Sequence, residues 1–230
     1  MSIARQALGS SAAKLQMGAC NFDLNHYREL LAAAQTGGYR FATFDHAPRA
    51  GDLFLRHDVD LSLEAAVQMA RLEHELGIRT TYFLMTGSAF YNLDSPVGRY
   101  TLRQLKALGH AVGQHPDYPH VDRNGRFDNL LSWHNPEPEY MSARVDGVVN
   151  VMGPPYFVRE LYRSDSNQHW RQGCPHEELA AGAFEWLQLL VHPAIWVYPG
   201  DTMRETMETM LEAKHSDWLD YLANDRIDLE

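Results

Sequence analysis

The stretch Leu55-Arg56-His57-Asp58-Val59-Asp60 sets a histidine and two aspartates at the end of an apolar run. On an extended chain, residues two apart project to the same face, so Asp58 and Asp60 can address one centre. Three later apolar runs finish in a similar way: at His115, followed by Asp117 and His120; at His134; and at His192. Any one of these residues alone reads as a satisfied core group or a helix cap. Four segments that end alike point instead to a shared site. Carboxylate oxygens and neutral imidazole nitrogens together suit a borderline divalent ion, zinc first, with cobalt, nickel and manganese as further candidates. Such an ion with three protein ligands keeps a position for water and lowers the pKa of that water to about 7. If one aspartate binds the ion, the other can take the proton, which is the chemistry of hydrolysis.

These groups need elements that bring them to one face. Asp23 caps a helix carrying Tyr27, Leu30 and Leu31, which Thr36-Gly37-Gly38 stops. Strands are expected at Phe41 to Phe44 and Leu53 to His57. Ser62 opens a helix closed by Gly77, and a strand follows at Thr80 to Met85. Thr101 and Gln104 have capping-box spacing, so a short helix is expected there, leading to a strand at Ala111 to Gln114. LLSWHN, VVNVM and WLQLLVH read as buried strands, and Asp201 begins a long amphipathic C-terminal helix. This alternation favours an α/β fold with a mainly parallel sheet or barrel, whose strand ends gather polar residues on one face.

Composition narrows the partners. The chain has 230 residues, 45% hydrophobic and 22% charged, with a formal charge of −10. That balance repels nucleic acid and anionic membranes and argues against either as the main partner. No repeat or low-complexity linker divides the chain, so we expect one domain over 1–230, with an N-terminal extension at 1–20 and the C-terminal helix at 201–230. The opening residues lack the continuous apolar core of a signal peptide, and no segment has the apolar length to span a bilayer, so a cytoplasmic location is expected. Cys20 and Cys174 stand far apart in no metal-ligand spacing and read as two reduced thiols.

At these residues the sequence resembles the polysaccharide deacetylase family, carbohydrate esterase family 4, or NodB-homology fold. Arg56 to Asp60 resembles the family's aspartate motif, which implies Asp58 as general base and Asp60 as metal ligand. Leu108 to His115 is similar to the strand leading into the metal-binding histidines, implying His115 and His120. Ser132 to Pro136 is similar to a segment lining the substrate groove, around Trp133 and His134. Ser164 to Arg171 resembles the segment of the supporting aspartate and tryptophan, here Asp165 and Trp170. Leu189 to Pro193 resembles the closing motif, implying His192 as general acid. The resemblance, spread over about residues 53 to 200, implies a distorted (β/α) barrel and a metal-dependent deacetylase of an acylated sugar or glycan precursor.

The chain departs from that pattern in two ways. The family usually spaces its two histidines four apart, whereas His115 and His120 are five apart and Pro119 takes the usual place; His134 or Asp117 are the alternatives. Only 18 residues separate His115 from His134, too few for a helix and a strand, so the barrel is expected to lack one unit. That shortening either widens the cleft or marks a deacetylase-like domain that binds glycan without catalysis. His115-Pro116-Asp117 with His192 and Arg204 also fits the ligand pattern of a non-haem iron oxygenase. Arg56 either orients Asp58, meets an anionic substrate group or forms a structural ion pair. Trp133, Tyr156, Trp170 and Trp196 are either a platform for sugar rings or ordinary packing.

Overall fold

The apolar run ahead of the aspartates forms β2 (Asp52–Val59), buried at all eight positions, as a strand covered on both faces must be. The computed structural model describes residues 20–225 of the chain. Within them, β2 is an interior strand of a sheet with β1 (Arg40–Phe41), β3 (Thr81–Met85), β4 (Ala111–His115), β5 (Leu130–Leu131), β6 (Val149–Asn150), β7 (Tyr162–Ser164) and β8 (Leu187–Val191). The order is β6-β5-β4-β3-β2-β8-β7, with β1 joined to the start of β2. Every pairing is parallel. No pairing joins β6 to β7 among the described residues, so the sheet is an open arc of barrel-like topology. All-parallel pairing also removes the ground for the oxygenase reading, which requires a double-stranded β-helix.

The helices follow local signals. Asp23 Oδ1 accepts from the backbone N–H groups of Asn25 and His26 to start α1 (Leu24–Thr36). Ser62 caps α2 (Leu63–Glu75) in the same way through Ala65 N–H. The third helix differs from expectation: α3 (Pro96–Ala107) begins five residues before Thr101, capped by Ser95 with Pro96 in its first turn, and Thr101 is buried inside it. Pro fits that position because its missing N–H has no partner to lose there. After α4 (His176–Ala180) and α5 (Pro193–Val197), α6 (Met203–Asn224) starts from a capping box of Thr202 and Glu205. It is not clearly amphipathic, since only Thr206 and Met210 are buried.

Three expected strands are short, and β7 had no apolar run to announce it. No helix separates β4 from β5 or β5 from β6, so the middle of the fold is as abbreviated as its spacing implied. The C-terminal extension ends in residues beyond the described range, as does the N-terminal extension except for Cys20. Among the described residues no helix is long and apolar enough to cross a membrane.

The two faces of β2 have different neighbours, as the two-residue period requires. Leu53 and Leu55 pack with Leu30, Leu31, Leu189 and Trp196 on the side of α1 and α5. Phe54 packs on the opposite side with Phe44, Phe83, Tyr156 and Trp186. His57 turns to the helix side, away from Asp58. There its Nε2 meets Glu73 Oε1 at 2.7 Å and its ring stacks on Tyr82 at 4.1 Å. Glu73, fully buried, also accepts from Tyr27, Tyr82 and Thr80. Those donors satisfy a charge that would be costly if left alone.

Candidate functional site

The strand ends assemble the site. Asp58 and Asp60 come from the end of β2, His115 closes β4, and Ser132 and His134 follow β5. Asp165 follows β7 and His192 follows β8. Because all strands run in parallel, these residues share the carboxyl edge of the sheet, where ligand sites of such folds form. A cleft of about 160 Å³ opens there between Asp58, Asp60, Asn135, Asn167 and His192.

Arg56 is buried one pleat behind Asp58. Its Nη2 donates to Asp58 Oδ2 at 2.7 Å and its Nη1 to Gln188 Oε1 at 3.1 Å. It therefore positions the carboxylate, one of the three roles open to it, and burial keeps it from meeting an anionic substrate group, which was another. Asp58 Oδ1 is buried without a hydrogen-bond partner, which is unusual for a carboxylate and leaves one acceptor directed at something not supplied by the fold; Asp60 Oδ1 faces His115 Nε2. Burial works against the charge of Asp60, but His115, and then His192 and His134, outweigh it and lower its pKa to about 2.

His115 gives its Nδ1 proton to Ser132 O at 2.6 Å, which leaves Nε2 3.3 Å from Asp60 Oδ1 and 3.6 Å from Asp58 Oδ2. Desolvation opposes its protonation, while Asp58 and Asp60 raise its pKa. His134 lies beside it, with ring centroids 5.3 Å apart, and Asp117 Oδ1 accepts from its Nδ1 at 2.8 Å. An imidazole held by Nδ1 can present Nε2 to a ligand, as metal-bound histidines do; here His134 Nε2 accepts from Asn135 Nδ2 at 3.0 Å. His120 is different: it is exposed, and among the described residues no hydrogen bond or ion pair joins its ring to Asp60 or His115. The loop after β4 points it outward. Asp60 meets His115 and His134 stands beside His115, oxygen and nitrogen donors of the types a divalent ion takes, but among the described residues the ligand atoms of the three do not converge as a group; Asp117 lies behind His134.

His192 is held twice by Asp165, which Trp196 braces. Its Nδ1 lies 2.6 Å from Asp165 Oδ1, its backbone N–H donates to Asp165 Oδ2 at 2.9 Å, and Trp196 Nε1 donates to the same oxygen at 2.7 Å. Asp165 is fully buried, so it backs the histidine and is kept from contact with substrate. Desolvation disfavours the imidazolium, yet Asp165, with Asp60 and Asp58 further off, raises the His192 pKa to about 9. Its Nε2 faces Asp60 Oδ2 across the cleft at 3.8 Å.

The tryptophans are not a platform. Trp133 is 1% exposed and Trp170 6% exposed; both are core residues, as are Tyr156 and Trp196. Apolar flanking sequence marks all four but does not say which ring faces water. Two aromatics that spacing did not single out are exposed instead: Tyr118 and Tyr140 stack at 4.2 Å, and Tyr118 meets the edge of Trp133 at 5.2 Å. Asn135 and Asn167, also missed, adopt φ of 39° and 59°. Asn tolerates that left-handed region better than most residues, and both line the cleft.

Three potential ligands gather elsewhere. Cys20, His26 and Cys174 have donor atoms all within 4.8 Å of one another, although their positions in sequence gave no such indication. Both thiols are free. No protein-family model, curated protein or solved structure matches this chain.

Proposed function

We propose that this protein is a metal-dependent hydrolase that removes an N-acetyl or similar acyl group from a sugar or glycan precursor, built on a divergent deacetylase-type barrel. The observation that carries the reading is the pairing of two differently equipped groups across one cleft. Asp58, bound to Arg56, offers a free carboxylate oxygen, and His192, backed by Asp165, offers a proton.

Asp60, His115 and His134 would hold a divalent ion, which supplies Lewis acidity and a water of lowered pKa. Asp58 Oδ1 accepts the proton of the attacking water, and the Arg56 guanidinium fixes the orientation of that carboxylate. His192, kept protonated by Asp165, gives its Nε2 proton to the leaving amine. Trp196 and the His192 backbone N–H hold Asp165 in place, so the imidazole cannot turn. The cleft of about 160 Å³ suits an acyl group with part of one ring.

The test is release of free acid from N-acetylated and N-formylated amino sugars, with Asp58→Asn as the control. Metal-dependent release that Asp58→Asn abolishes supports the reading. Metal-replete protein that binds these sugars without releasing acid would establish a glycan-binding domain in its place.

A further inference from the structure

We infer that Cys20, His26 and Cys174 form a second metal site, selective for a thiophilic ion such as zinc, on the helix side of the sheet.

The geometry is that of a ligand set. Cys174 Sγ lies 3.2 Å from His26 Nε2, and Trp170 Nε1 donates to Cys20 Sγ at 3.2 Å. His26 Nδ1 lies 3.2 Å from Glu29 Oε2 one turn along α1, so a carboxylate holds one ring nitrogen while the other faces the sulfurs. This is the orientation that metal-bound imidazoles take. The His176 ring stands edge-on to His26 with centroids 5.7 Å apart but is not among the converging ligand atoms, so the fourth position that zinc fills with a side chain or water falls to water. Two thiolates and an imidazole favour zinc over magnesium or manganese, which prefer oxygen.

The position gives the ion a role. Cys20 precedes α1, His26 lies in its first turn, and Cys174 stands just before α4, so one ion would tie together segments almost 150 residues apart. Next to it are Trp170 and Trp196, whose rings are 6.3 Å apart, and Trp196 in turn donates to Asp165. The site therefore braces the wall behind His192 without belonging to the cleft.

Cobalt(II) titration of the full chain, purified under reducing conditions without a chelating tag, tests this. A thiolate-to-cobalt charge-transfer band that saturates at one equivalent, and that zinc displaces, is expected. It should persist in His115→Ala and vanish in both Cys174→Ser and Cys20→Ser. Ions held by Asp60 and His115 have no sulfur ligand and give no such band, so failure of the hydrolase site leaves this result intact. Absence of the band in the unsubstituted protein with two titratable thiols would overturn the inference, and the unsubstituted protein needs no variant to fold. Recovery of the chain with Cys20 and Cys174 bonded to each other under the same reducing conditions would overturn it too.

Discussion

Asp165 Oδ1 and His192 Nδ1 lie 2.6 Å apart, in residues 27 positions distant, and the carboxylate is fully buried. The pair sets both the tautomer and the charge of the histidine. Its proton is therefore on Nδ1 towards Asp165, and the second proton, on Nε2, is the one that can leave.

Replacing Asp165 with Asn removes the charge that raises the His192 pKa to about 9. Since the folded value lies above the ordinary one near 6.5, the stability the pair contributes is complete below about pH 6.5 and is lost as pH rises through about 9. The stability gap between the unsubstituted protein and Asp165→Asn, followed by urea melts of metal-free protein, is expected to narrow over that interval. The alkaline limb of the pH–rate profile should move down from about 9, and kcat should fall about 10²-fold. An unmoved limb would show that His192 is not the proton donor.

Asp58→Asn keeps the shape of the side chain and its contact with Arg56 but removes the proton acceptor. Turnover is expected to fall about 10²–10⁴-fold while metal content, measured by elemental analysis, stays at that of the parent. Full activity would assign the base elsewhere.

The two histidines after β4 should behave oppositely. His134→Ala is expected to lower the affinity for zinc, and Asp117→Asn to lower it about 10–100-fold by releasing the Nδ1 of His134. His120→Ala, an exposed change, should leave it unaltered. Competition with a chromogenic chelator gives the three constants directly.

Gly113 lies where β4 passes the Phe83 ring, and a Cβ there would meet Phe83 Cε1 at 2.5 Å. Gly113→Ala should cost about 1–3 kcal/mol through overpacking. Denaturant midpoints of the two proteins, compared at equal m, measure this.

Several elements were legible because their signals are local. Asp23 and Ser62 cap helices through bonds to residues two or three positions on, and the apolar runs around Leu55, Phe83 and Leu189 could hardly be anything but buried strands. The short α/β middle followed from counting residues between His115 and His134. By contrast, the start of α3 was misplaced because Ser95-Pro96 outcompetes the Thr101 capping-box spacing, and β7 was missed because Tyr162 to Ser164 carries no hydrophobic period.

The sequence by itself determined that Asp58, Asp60, His115, His134 and His192 end buried strands, since apolar runs and the two-residue alternation of an extended chain are properties of neighbouring residues. Tertiary structure alone decided which of them meet. Sheet order puts β7 outside β8, and only that brings Asp165 under His192. The path of the loop after β4 turns His120 to solvent, and the return of β5 sets His134 beside His115. The packing of α1 against α4 gathers Cys20, His26 and Cys174 from distant segments of the chain. Contacts of that range depend on how elements stack, and no spacing along the sequence encodes them.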